Sequence, residues 1–272
     1  MISKWWKDES TVKRTILTLS LAAVVLMAGC KEQKSESPAQ KTKELLLYCG
    51  AGIRPPAAEL AETFGREHSV KIITDYAGSE VLLSKIKLTQ RGDLYMPGDK
   101  HYVSLAAEKG MVVSQKPVCY FVPTILVQKG NPKGISGLKD LLRPGLKLGL
   151  GDARACAIGR KSKKIFAKNN IDWEDVEKNL KFQSLTVNEL GMQIQAGALD
   201  AVIVWDAVAR YYGKYGDEVP IAADKNVIST VDIGVLKFTE DRQLAEKFVD
   251  FAASQKGAKI FERHGYRTES VR

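Results

Sequence analysis

A chain of 272 residues with 44% hydrophobic and 27% charged residues is long enough to bury one large core or two smaller ones, and too apolar for general disorder. Its formal net charge of +9 would concentrate anions and could equally serve solubility. The basic residues are scattered, which argues against a nucleic-acid interface, and the one dense run, Arg160-Lys161-Ser162-Lys163-Lys164, reads as the solvated face of a helix.

The first residues are basic up to Lys13-Arg14 and are followed by an apolar run from Ile16 to Met27. At about 12 residues this run is too short to cross a ~30 Å hydrocarbon core as a helix, but it suits the apolar region of an export signal. It closes on Leu26-Met27-Ala28-Gly29-Cys30, which resembles a bacterial lipoprotein processing site. Small Ala28 and Gly29 would admit the chain to a signal peptidase, and Cys30 would become the lipidated first residue. The expectation is a signal peptide over 1–29 and a lipidated Cys30 with a polar tether over 30–43, where almost nothing apolar offsets the entropy of ordering. The folded part is then exported and held at a membrane by its lipid, facing periplasm or exterior.

From Leu45 onward short apolar runs alternate with amphipathic ones. Leu45–Cys49 reads as a buried strand, and Pro55-Pro56 opens a helix with Ala57, Leu60, Ala61 and Phe64 on one face. Val70–Tyr76 is a second strand before a helix from Ser79, and Asp93–Met96 a third before a helix around Tyr102 and Ala106. Near residue 120 the character changes. Phe121–Val127 is extended; Leu146–Leu150 is a strand leading to a helix from about Gly159; a helix over Leu190, Ile194 and Ala198 precedes a strand at Ala201–Trp205. Residues 228–236 are extended again, and two helices follow, through Leu244 and Phe251 and through Ile260 and Phe261.

Strand–helix alternation in two sets predicts an α/β fold with mostly parallel sheets. The two extended crossings make it a two-lobed clamshell: 44–121 and 230–272 in the first lobe, 122–229 in the second, with hinges near 121–124 and 229–233. Three cysteines follow Cys30, with no CxxC spacing. Cys49 and Cys119 fall in strands as buried thiols, whereas Cys156 lies in a candidate site loop.

In open α/β sheets a ligand sits beyond the carboxyl ends of the strands. Those ends carry Gly50-Ala51-Gly52, Ala77-Gly78-Ser79, the loop from Gly151 to Gly159, and Thr186-Val187-Asn188. Small residues there let a ligand approach backbone amides at the positive end of a helix, a usual way to hold an oxyanion. Gly and Ser are also ordinary turn and cap residues; recurrence in both halves favours the binding role.

From Leu45 to about Arg267 the chain resembles the periplasmic molybdate-binding proteins of ABC importers. The resemblance is carried by Tyr48-Cys49-Gly50-Ala51-Gly52, Tyr76-Ala77-Gly78-Ser79, Gly92-Asp93-Leu94-Tyr95, Gly151-Asp152 and Val204-Trp205-Asp206-Ala207. It implies the type II periplasmic-binding fold, with each lobe a mixed sheet flanked by helices. It also implies a molybdate or tungstate ligand held by hydroxyls and amides, delivery to an ABC permease and ATPase, a monomer, and no cofactor or catalysis. By resemblance, Ala51, Gly52 and Gly78 line the site, Ser79 gives a hydroxyl, Ile158 and Val187 give amides, and Trp205 replaces the usual tyrosine. Gly52 stands where a serine is usual, and Arg154, like Arg54 beside the first loop, is a candidate replacement donor through its guanidinium.

Two other readings compete. Tyr211-Tyr212 would suit a ferric-ion receptor of the same fold, since phenolates are hard ligands. Cys156 could be the nucleophile of a thiol-dependent enzyme. His68, His101 and His264 are the only histidines, and neither a zinc, a GxSxG nor a P-loop motif occurs.

Overall fold

The computed structural model describes residues 43–269. The expected signal peptide, Cys30 and the tether up to residue 42 lie outside the described residues, whereas Lys43 is already the first residue of a strand. Among the described residues no helix is long and apolar enough to cross a membrane.

The elements run β1 (Lys43–Gly50), α1 (Arg54–His68), β2 (Val70–Ala77), α2 (Ser79–Thr89), β3 (Leu94–Met96), α3 (Lys100–Glu108) and β4 (Val112–Phe121) in the first half. The second half is β5 (Pro123–Gln128), β6 (Leu148–Gly151), α4 (Ala157–Lys168), α5 (Trp173–Asn179), β7 (Leu180–Ser184), α6 (Val187–Gln195), β8 (Ala201–Trp205), α7 (Asp206–Tyr211) and β9 (Gly216–Pro220). The chain returns with β10 (Ser229–Leu236), α8 (Arg242–Ala252) and α9 (Gln255–Arg263).

Two five-stranded sheets result, in orders β2-β1-β3-β10-β4 and β7-β6-β8-β5-β9. They share one plan: three parallel strands, then an antiparallel strand that has crossed from the other half, then an edge strand. Helices cover the sheets, so the central strands are buried on both faces, as the consecutive Leu47, Tyr48, Cys49 and Gly50 of β1 and all of Ala201–Trp205 in β8 show. Local signals fix several helix ends. Pro55 and Pro56 sit in the first turn of α1, and Ser69 closes it in a left-handed conformation at φ 53°.

The sequence expectations differ in detail. The helix expected from Gly159 begins at Ala157, and that over Leu190–Ala198 ends at Gln195. The short α5, β7 and β9 were absent from the pattern: β9 reads Gly-Asp-Glu-Val-Pro, an edge strand with little apolar content. The second crossing is 221–228 rather than 229–233, because Ser229 already pairs with Phe121 in the first sheet. Lys161, expected on a solvated helix face, is buried.

One buried carboxylate ties the first crossing together. Asp206 accepts from the amides of Val122 at 3.3 Å and Ala207 at 2.9 Å, and pairs with Arg210 and Arg267, each at 3.0 Å. Its own amide donates to Val122 O at 2.8 Å, and Arg267 O accepts from Tyr120 N at 2.7 Å. The carboxyl-terminal segment thus straps lobe one to the start of α7. Removing a buried, multiply bonded carboxylate costs about 2–4 kcal/mol, so Asp206→Ala is expected to lose about that much stability in urea unfolding. A loss below about 0.5 kcal/mol would show that the strap carries no load.

Candidate functional site

The carboxyl ends of β1, β2, β6, β7 and β8 face one another across the two sheets, and the loops after them enclose a small cavity. It is lined by the 50–52 turn, Ala77–Ser79, Gly98 and Phe121 from the first lobe, and by Cys156–Ile158, Thr186-Val187 and Trp205 from the second. Its volume is about 20 Å³, on a scale where one water needs about 10–15 Å³. Such a space is on the scale of one compact ion rather than a sugar or a peptide.

Every lining residue is uncharged. What the cavity offers instead is helix ends. The N-cap residues of α2, α4 and α6 are Gly78, Cys156 and Thr186, and none of their side chains accepts a backbone amide. Asp99, Asp241 and Ser254 cap α3, α8 and α9, none of which contributes a residue to the cavity; α1 and α5 also lack side-chain caps and lie outside its lining. Helix N-termini without side-chain caps direct amides and the positive ends of their dipoles at whatever lies there, although Glu80 N of α2 is already taken by Ala155 O and the Ile158 and Gly159 amides of α4 act on the Cys156 sulfur. Ser79 adds a hydroxyl: its Oγ accepts from Gly98 N at 3.1 Å, which leaves the O–H proton free to donate. The serine is oriented by Tyr95, whose hydroxyl donates to Ser79 O at 2.7 Å.

The lobes meet tightly around this space. Glu80 N donates to Ala155 O at 3.1 Å, and Asn188 Nδ2 donates to Ala51 O at 3.2 Å. A Cβ on Gly78 would lie 2.5 Å from Leu185 O and 2.6 Å from Ala155 O, so only glycine permits this approach. On Gly52 a Cβ would lie 2.7 Å from Val187 Cγ1 and 3.2 Å from Trp205 Cδ1. The place a serine side chain would take at position 52 is therefore filled from the other lobe. Trp205 stacks on Phe121 with centroids 4.7 Å apart and planes 5° from parallel, and Tyr266 donates from its hydroxyl to Gly52 O.

Of the expected site residues, Ala51, Gly52, Gly78, Ser79, Ile158, Val187 and Trp205 all line the cavity. Arg154 does not. Its side chain is 88% exposed and folds back on Asp152, with Nη2 at 2.9 Å and Nε at 3.2 Å from the carboxylate. The short 153–155 turn points it outward, and Asp152 neutralises it. Thr186 lies in a segment already singled out, whereas Gly98 and Phe121 were missed. Gly98 lies on the loop after β3, whose three residues gave little warning that its end reached the site.

The rival sites are placed elsewhere. Tyr211 is 72% exposed, and the Tyr212 hydroxyl donates to Asn188 O at 3.3 Å. Both lie in an adjoining groove of about 760 Å³ that shares Ala51, Gly52 and Thr186 with the cavity and also holds Arg54, whose guanidinium stacks over the Tyr76 ring at 4.0 Å. Among the described residues no group of three His, Cys, Asp or Glu side chains could hold a metal ion. Cys156 is buried with its Sγ 3.7 Å from Ser184 O. Burial pushes its thiol up to about 11, partly offset by the Gly159 and Ile158 amides, so it carries no negative charge at neutral pH. A thiol held this way is a poor nucleophile and does not repel an anion.

The sequence pattern of the bacterial extracellular solute-binding proteins matches residues 45–267, and the chain belongs to that family. A protein of Haemophilus influenzae described as a putative binding protein is 27% identical over 82% of this chain and 90% of its own. A molybdate-binding protein of Mycobacterium bovis is 23% identical over 92% of this chain and 97% of its own. The fold superposes on the sulfate-binding protein of Mycobacterium tuberculosis with a TM-score of 0.74, at 18% identity over 83% of this chain and 87% of that one. The architecture is that of the type II periplasmic binding proteins.

The thiol environments lead to a chemical test. Cys156, Cys49 and Cys119 are all buried, and burial raises each above the ordinary thiol range. At pH 8, iodoacetamide should label all three at least about 100-fold more slowly in the native chain than in urea, read by mass spectrometry. Rapid native labelling of Cys156 would mean that the cavity loop is open and its thiol ionisable.

Proposed function

We propose that this chain is the solute-binding component of an ABC importer, and that it captures a tetrahedral oxyanion, molybdate or tungstate, between its lobes. The observation that carries the reading is the convergence of three helix N-termini lacking side-chain caps and the Ser79 hydroxyl on an uncharged space the size of one compact ion. Burying a dianion is costly unless each oxygen meets a donor. Donors fixed in advance in a dry cavity meet that need with little reorganisation. With no carboxylate in the lining, nothing strong accepts a proton from the ligand. Fully deprotonated ions are thereby favoured over hydrogen phosphate, whose O–H would be left unpaired.

Closure of the lobes completes the donor set, because Ala51, Gly52 and Ser79 come from one lobe and Ile158, Val187 and Trp205 from the other. Hinge motion about the two crossings would let the ion in and out. The delivery partner is a membrane permease with its ATPase. The expected lipid on Cys30 would keep a monomeric receptor near them, on the periplasmic or outer side of the membrane. A binding role without catalysis agrees with the shielded Cys156 and with the binding functions in the names of relatives.

A thermal-shift series on the purified chain with molybdate, tungstate, sulfate, phosphate and Fe³⁺ tests this directly. At about 1,000 times its Kd a ligand stabilises by roughly 4 kcal/mol, so molybdate or tungstate should raise Tm clearly and phosphate should not. Ser79→Ala removes one charge-assisted hydrogen bond and should weaken molybdate about 10–100-fold by calorimetry. A response to sulfate alone would reassign the ion. A response to iron alone would move the site to Tyr211 and Tyr212.

Position 52 gives a second test with a counterintuitive sign. Gly52→Ser restores a hydroxyl at the place where a serine is usual in the molybdate-binding resemblance, yet its Cβ would press on Val187 and Trp205. Overpacking of that kind costs roughly 1–3 kcal/mol, so affinity should fall about 5–100-fold. Tighter binding would show that Trp205 yields and that the serine arrangement is still accessible.

A further inference from the structure

Lys161 and Asp99 form the one ion pair among the described residues in which both side chains are nearly buried, 10% and 5% exposed, with Nζ 2.7 Å from Oδ2. The pair spans the lobes. Asp99 precedes α3 in the first lobe, and Lys161 lies on α4 in the second. Each partner is one short step from the cavity. Lys161 is one helical turn beyond Ala157 and Ile158, which line it. Asp99 follows Gly98, whose amide holds the Ser79 Oγ and whose α-carbon faces Ala157: a Cβ there would lie 3.4 Å from the Ala157 Cβ. Lys161 also donates to Ile228 O of the second crossing at 3.0 Å, and Ser229, the next residue, donates from Oγ to Gly98 O at 3.0 Å. A closed circuit therefore runs from the α4 N-terminus through Lys161 and Asp99 to Gly98, Ser79 and the cavity, with the crossing bonded to both sides.

Stability does not explain such a pair. Replacing a buried ion pair by neutral groups of similar volume is often neutral or stabilising, because the desolvation cost roughly offsets the attraction. What the pair supplies is a fixed distance between two elements that must both touch the ion. We infer that Asp99 and Lys161 are positioning residues of the anion site: their interlobe ion pair sets the spacing of the α4 N-terminus from Gly98 and Ser79, and favours the closed arrangement. Neither side chain lines the cavity, and as a pair they add no net charge near it. The inference rests on the oxyanion reading for its ligand, but its conformational half can be read without one.

The discriminating variant is the double replacement Asp99→Asn with Lys161→Met. Asparagine can still accept the His101 amide that caps α3, at 2.8 Å in the native chain, and methionine fills the lysine stem, so the fold should survive. With the spacing no longer fixed, the competent closed state is less populated and apparent affinity falls in proportion. The expected result is an unchanged Tm for the ligand-free chain, about a tenfold weaker molybdate Kd by calorimetry, and a larger ligand-free radius of gyration in solution scattering. The single variants should each weaken binding, with the second change adding little, as for two parts of one unit. A double variant with the native radius of gyration overturns the inference, as does one that binds molybdate within twofold of the native chain. Should the native chain bind none of the oxyanions, the oxyanion proposal falls, and the scattering comparison alone still decides the role of the pair.

Discussion

Each parallel strand delivers the chain to the same edge of its sheet, and the helix that follows must begin there with unpaired amides and the positive end of its dipole. Turning two such edges toward each other brings the starts of α2, α4 and α6 into one place. The rest of the site follows from that constraint. Side chains at the helix starts must be small or non-capping, or they would satisfy the amides themselves. The two backbones must also approach closely enough for one small space to touch all of them, which is what Gly78 and Gly52 permit.

The same constraint governs where charge is placed. A cavity whose only positive potential comes from backbone dipoles works best when no side-chain charge competes within it. The charged groups nearby are arranged accordingly. Arg154 is turned out and neutralised by Asp152. Asp206 is buried but consumed by two guanidinium groups and two amides at the crossing. Asp99 is matched by Lys161. Cys156 is kept protonated by burial. Each is a local solution in hydrogen bonding, and together they leave the cavity neutral.

The family and the cavity are thus linked by physics more than by identical residues. Relatives at 22–27% identity leave most positions free to differ, whereas the strand ends and helix starts follow from the fold. At position 52 the packing is coupled across the lobes: Val187 and Trp205 occupy the room a side chain would need.

The sequence by itself determined the alternation of strands and helices, the first crossing and the small residues at the strand ends, because apolar periodicity and Gly, Ser and Pro placement are local signals that backbone sterics read directly. The resemblance to the molybdate-binding proteins, rather than any local signal, named Ala51, Gly52, Gly78, Ser79, Ile158, Val187 and Trp205, which the structure sets around one space. Weakly patterned α5, β7 and β9 escaped the local signals, since short or edge elements owe their form to neighbours. Tertiary structure alone decided that Arg154 faces solvent, that Lys161 in a run of basic residues is buried against Asp99, and that Gly98 supports Ser79. Those outcomes depend on which residue of one lobe meets which residue of the other. That register is set by packing across the sheets and by the strap at Asp206, and no spacing along the chain records it.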